Sequence, residues 1–219
     1  MNRETRKLTL IGMFCALAYI ITFFIAGKIQ IGPLPFLRYD PKDIIITICG
    51  LVLGPISAVI VSFIVSFLEM ITMSDSGIIG MIMNVVSTCA FVFPAVFIYK
   101  KKPDFKGLIL GLFTACISMT AIMILWNYAI TPIYMNIDRD TVVSYIVPAF
   151  LPFNLIKSTI NAVFIVALYK PLFAALNKSK LLSPNTTDNT HKLSVGLVAF
   201  IVLILASATL VILSIFNLI

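Results

Sequence analysis

The feature that most constrains this chain is a set of long apolar runs without one charged side chain, at residues 8–26, 78–99, 107–130 and 193–219. A helix needs about 20 apolar residues to span a hydrocarbon core of about 30 Å, and each run is of that order. The whole chain of 219 residues is 60% hydrophobic and only 11% charged, with a mean hydropathy of +1.08. A chain so apolar cannot bury its side chains in one water-soluble core, so the expected class is an all-α membrane protein. The first run follows Arg3, Arg6 and Lys7 and lacks a small-residue cleavage site. It reads as the first span rather than as a signal peptide.

Basic residues supply the orientation, because Lys and Arg collect in cytoplasmic segments. Of the sixteen, three precede the first span, four lie in 100–106 (Lys100, Lys101, Lys102, Lys106), and four follow the span ending near Tyr169 (Lys170, Lys178, Lys180, Lys192). With the N-terminus and the 100–106 segment both inside, an even number of crossings must separate them. The stretch 44–74 therefore crosses twice, turning at Gly54-Pro55, where glycine permits unusual backbone and proline lacks a donor. Residues 40–53 reach only about 21 Å, which makes the second span short. The same parity places 107–130 and 153–169 as two crossings joined by an external cap over 131–152, which contains Pro132, Pro148 and Pro152. The chain then divides into a six-helix binding domain at 1–176, a polar cytoplasmic linker at 177–192 and an additional helix at 193–219 that ends outside.

Several other features read as structural. Cys15, Cys49, Cys89 and Cys116 are widely spaced inside apolar runs and behave as small hydrophobes. His191 lies in the polar linker with no ligand partner at metal spacing. The pI of about 9.3 reflects orientation signals rather than a basic patch for nucleic acid. The glycosylation-like Asn185-Thr186-Thr187 falls on the cytoplasmic side by this topology and carries no weight.

Polar groups at membrane depth cost free energy and by default mark function. Lys157, Glu69 and Asn127 each lie about one turn below the outer end of a span, and Asn84 about two turns in. Asn154, Lys157 and Asn161 follow i, i+3, i+7 spacing and share one helix face. Above them the segment 27–43 carries Lys28, Arg38, Asp40, Lys42 and Asp43, stiffened by Pro33, Pro35 and Pro41. Each residue also has a plainer reading. Lysine near a helix end snorkels to the headgroups, asparagine joins helices, an outer glutamate reaches water, and Asp40 and Asp43 cap a helix N-terminus.

Their convergence on one depth is harder to explain that way. Asn amides with one Lys and carboxylates suit a neutral, polyfunctional ligand, since Asn both donates and accepts while Lys only donates. Phe36, Tyr39, Trp126 and Tyr128 either wall such a pocket or form an interfacial belt. Phosphate loops, metalloprotease motifs, nucleophile elbows and Ser-His or Cys-His pairings are all missing from the sequence. Neither hydrolysis nor ATP-driven work is visible, so no enzyme activity, metal or cofactor is expected.

Three motifs in order carry a resemblance: Tyr39-Asp40-Pro41-Lys42-Asp43-Ile44 followed by Gly50 and Gly54-Pro55; Asn127-Tyr128 with Pro132 and Tyr134; and Pro152-Phe153-Asn154-Leu155-Ile156-Lys157. From about Arg6 to Lys170 the chain resembles the substrate-binding S components of energy-coupling factor (ECF) vitamin transporters, in particular those that bind riboflavin. The resemblance implies a six-helix vitamin-binding protein open to the outside, in the cell membrane, working with a transmembrane coupling protein and two cytoplasmic ABC-type ATPases. It also implies that Asn127, Asn154 and Lys157 contact the ligand, with Asp40, Asp43, Glu69 and Asn84 as further lining. Gly12 and Ala16, at small-x-x-x-small spacing on the first helix, match the family's docking face, although packing within the chain explains such spacing equally well. The helix at 193–219 departs from the family's six. Rival readings are an S component for pantothenate, thiamine, folate or a pyridoxine-like compound, a stand-alone permease, and an intramembrane enzyme. A permease is expected to show repeats and a coupling-ion site at the midplane, and an enzyme a nucleophile or metal beside the carboxylates.

Overall fold

A computed structural model describes residues 3–25, 29, 34, 37–73 and 76–178. Every regular element among them is helical: α1 (Arg3–Ile25), α2 (Lys42–Leu53), α3 (Pro55–Thr72), α4 (Gly77–Lys101), α5 (Phe105–Met135), α6 (Arg139–Tyr145), a π-helical turn (Ile146–Phe150) and α7 (Leu151–Lys178). The rest of the polar linker and the apolar run 193–219 lie outside the described residues. Five stretches are long and apolar enough to cross a membrane: Glu4–Ile25, Pro55–Thr72, Gly77–Lys101, Phe105–Met135 and Arg139–Pro171. With its 12 residues α2 is shorter than these, spanning about 18 Å.

The break between α2 and α3 is a hairpin, as the parity of the basic segments requires. Gly54 takes φ 100°, a conformation natural to glycine, and Pro55 opens α3 where its missing N–H costs nothing. Near this turn a Cβ on Gly50 would lie 3.2 Å from the Cβ of Ala58 on α3 and 2.6 Å from a methyl of Val96 on α4. At the opposite ends of the two helices, Lys42 and Glu69 are 2.7 Å apart. Contact at both ends fixes α2 and α3 as antiparallel neighbours.

Similar pairs orient the other helices. Lys100 of α4 lies against Gly54, whose added Cβ would be 2.7 Å from its Nζ, while Thr88 reaches Asp43 at the start of α2. Helix α1 ends beside the start of α2 and the end of α3, through Thr22 with Asp40 and Tyr19 with Thr72. The Tyr99 and Tyr169 hydroxyls meet at 2.9 Å, placing the later part of α7 level with the end of α4. Arg6, Lys7, Lys100, Lys101, Lys102, Lys106 and Lys170 therefore belong to one end of the bundle. The buried polar side chains described below belong to the other.

The cap expected over residues 131–152 is largely helical. Helix α5 continues through Pro132 to Met135 and ends at Asn136 in the left-handed conformation, φ 53°. Proline removes one hydrogen bond there, and the turn still closes because the Asn136 N–H donates to the Pro132 carbonyl. Pro148 and Pro152 lie inside a nearly continuous helix. Pro152 has no N–H to offer the Pro148 carbonyl, so the α register fails there, and Leu151 N–H instead donates five residues back, to Ile146.

Phe14, Ile46, Cys49, Val61, Val65, Phe91, Leu108, Met119 and Ile165 form part of the main core. A smaller core of Leu37, Val142, Ala149 and Phe150 packs the segment before α2 against α6 and the π turn. The outward faces carry large apolar side chains such as Phe113 (63% exposed), Leu125 (66%) and Ile71 (63%). A surface of that kind is matched to lipid rather than to water.

Candidate ligand-binding site

At the end of the bundle remote from the basic segments, five helices and the segment before α2 contribute to a buried polar network. Lys42 Nζ donates to Asp40 Oδ2 and, at 2.7 Å, to Glu69 Oε2. Asn84 Nδ2 donates to the same Glu69 oxygen at 3.1 Å. Thr22 Oγ1 and the Lys42 backbone N–H both donate to Asp40 Oδ1 at 3.1 Å. At the next residue of α2, Asp43 accepts from Thr88 Oγ1 at 2.6 Å and from Asn161 Nδ2 at 3.4 Å, and Lys157 Nζ lies 3.4 Å from its Oδ2. Tyr39 OH donates to Asn161 Oδ1 at 2.9 Å.

Isolated charges do not survive burial, which explains why the ammonium groups and carboxylates come paired. Lys42 is 1% exposed, Asp43 0%, Glu69 4% and Lys157 6%. The pairing is not complete. Three carboxylates face two ammonium groups, and Glu69 Oε1 is buried with no hydrogen-bond partner among the described residues. Burial, and after it the charges of Asp43 and Asp40, push the Tyr39 phenol above its ordinary value, so it remains a neutral donor.

Of the residues singled out in the sequence, Asp40, Asp43, Glu69, Asn84 and Lys157 share this network. Asn127 and Asn154 are also buried, at 5% and 1% exposure, but their amides turn back on their own helices. Asn127 Nδ2 donates to the Met123 carbonyl at 2.7 Å while its Oδ1 accepts from Thr131 at 2.9 Å. Asn154 Nδ2 donates to Phe150 O, a carbonyl of the π turn, at 2.7 Å. The capping role weighed for Asp40 is present in its bond to the Lys42 N–H, whereas the Asp43 carboxylate is directed to Thr88, Asn161 and Lys157.

Among the aromatics, Tyr128 is 42% exposed and lies under the guanidinium of Arg139, 5.1 Å from its ring centre. Trp126 packs against the main core, and Phe36 lies outside the described residues. On α1, Gly12 and Ala16 both face outward, and a Cβ on Gly12 would meet nothing within 4 Å.

Lys42 and Asn161 stand among the polar residues that the sequence places at or above this depth but outside the expected ligand set, and Thr88 is in neither. Lys42 had a usable signal, since it lies between Asp40 and Asp43 at the mouth of a very apolar helix. Asn161 had one as well, sharing a face with Asn154 and Lys157. Thr88 gave none, because threonine in a membrane helix commonly bonds its own backbone, as Thr47 does with the Asp43 carbonyl at 2.6 Å.

The comparisons with known proteins bear on this arrangement. A family described as "ECF transporter, substrate-specific component" matches residues 6–169. The riboflavin transporter RibU of Staphylococcus aureus (strain TCH60) is 30% identical over 177 residues, covering 78% of this chain and 92% of that protein. The riboflavin transporter FmnP of Bacillus subtilis (strain 168) is 27% identical over 170 residues, covering 73% and 88%. A solved structure, described as the S component of a bacterial ECF transporter, superposes with a TM-score of 0.68 at 30% identity, covering 80% of this chain and 99% of that one. The family is one of transporter components, not of enzymes. The chain belongs to the substrate-specific components of ECF transporters.

Proposed function

We propose that this chain is the membrane-embedded subunit that binds riboflavin for uptake. It captures the vitamin from outside the cell and delivers it inward with an ECF transmembrane coupling protein and two cytoplasmic ABC-type ATPases. The observation that carries the reading is the polar cluster buried at the end opposite the basic segments, in a chain similar to two riboflavin transporters. Riboflavin is neutral, with a pyrimidine edge that alternates acceptors and a donor and a ribityl chain of hydroxyls. Lys157 supplies donors, and Asn127 and Asn154 each keep a second amide N–H beyond the one given to their own helix. Asn84, Asp40, Asp43 and Glu69, whose Oε1 lacks a partner among the described residues, belong to the same polar network as Lys157.

The basic end lies in the cytoplasm under the positive-inside rule, which puts the N-terminus inside and the polar cluster outside. The outward face of α1, with Gly12 and Ala16 open to close approach, docks on the coupling protein through small-residue helix packing.

Uptake of labelled riboflavin tests this in cells that lack their own riboflavin transporter. With the coupling protein and both ATPases co-expressed, uptake is expected and stops when the ATPases are inactivated. Uptake by this chain alone would replace the reading with that of a permease.

A further inference from the structure

We infer that Asp43 is the positioning residue of the site: it holds Lys157 and Asn161 in place for the ligand without touching the ligand, an inference that rests on the site proposed above. Asp43 is 0% exposed. Both of its oxygens are occupied, Oδ1 by Thr88 at 2.6 Å and Oδ2 by Asn161 and Lys157, each at 3.4 Å.

The anchor is rigid. It sits in the first turn of α2, where the helix dipole favours a negative charge. A few turns on, Gly50 is packed so tightly against Val96, Ala58 and Val92 that a Cβ would overlap them. Lys157, by contrast, has a flexible four-carbon stem and needs a fixed counter-charge to point one way. Its ammonium has three donors and lies 3.4 Å from Asp43 Oδ2 as an ion pair. Asn161 is oriented by the same device. Tyr39 OH donates to its Oδ1 and its Nδ2 faces Asp43, and a flipped amide would set Oδ1 against the Asp43 carboxylate.

A double-mutant cycle on riboflavin affinity in the purified full-length chain separates positioning from general structure. The variants are Asp43→Asn, Lys157→Met and the pair together. If Asp43 acts through Lys157, each single change weakens binding about tenfold or more, and the double variant binds about as poorly as the weaker single one. Losses that multiply in the double variant would overturn the inference. Thermal unfolding without ligand is run as a parallel cycle. If the wild type fails to bind riboflavin at all, the proposed function falls, and this second cycle decides the anchor by itself. Non-additive midpoints support a fixed Asp43–Lys157 pair, and additive ones overturn it.

Discussion

Lys42 and Glu69 lie at the two far ends of the α2–α3 hairpin and meet across 2.7 Å, both more than nine-tenths buried. The contact closes the hairpin opposite its Gly54-Pro55 turn and joins the segment before α2 to α3 and α4 through Asp40 and Asn84.

Removing one member of such a pair leaves an uncompensated charge, whereas removing both is far cheaper. Lys42→Met, which leaves Asp40 and Glu69 without their shared cation, is expected to cost about 3–5 kcal/mol. Lys42→Met with Glu69→Leu is expected to recover part of that loss. Unfolding midpoints in detergent check the order, and equal midpoints for both variants would mean that the pair is not closed in the folded protein.

Two glycines make opposite predictions. Gly50→Ala pushes a methyl to 2.6 Å from Val96 and 3.2 Å from Ala58, and overpacking of that kind costs about 1–3 kcal/mol. Gly12→Ala meets nothing within 4 Å and gains up to about 1 kcal/mol from helix propensity. Thermal unfolding of the two variants side by side reads the difference.

Gly12→Leu separates docking from binding. The larger side chain projects from the outward face of α1 and is expected not to lower the unfolding midpoint and to leave riboflavin affinity unchanged while abolishing co-purification with the coupling protein. Retained co-purification would place the docking face elsewhere.

Orientation is checked by labelling in intact cells, in a background with the four native cysteines replaced. A cysteine at Asp138 is expected to react with a membrane-impermeant maleimide, and one at Lys102 only after the membrane is opened. The reverse pattern would invert the topology and put the polar cluster on the cytoplasmic side.

Much of this fold was legible because bilayer physics is strict. Charge-free runs of about 20 residues are spans, and the parity of Lys and Arg required a turn at Gly54-Pro55. What eluded the sequence depends on where helix ends meet in space. Nothing local says that Lys42 reaches Glu69, 27 residues away, or that Thr88 serves Asp43 rather than its own backbone. The prolines leave the helices nearly continuous for a physical reason. Pro132 comes a few residues before the end of α5, where one lost bond is tolerated, and Pro148 with Pro152 converts a turn to the π form instead of breaking the chain into a loop. The buried polar cluster was legible as a shared depth. The division of labour within it was not, because the inward turn of the Asn127 and Asn154 amides toward their own carbonyls depends on rotamers that residue spacing does not fix.

The most direct measurement is a riboflavin titration of the purified chain, read by quenching of flavin fluorescence, with Lys157→Met beside it. Wild-type protein is predicted to quench close to stoichiometrically, and the variant to bind at least about tenfold more weakly, the loss of one charge-assisted hydrogen bond. A folded wild-type protein that leaves flavin fluorescence unchanged would contradict the account.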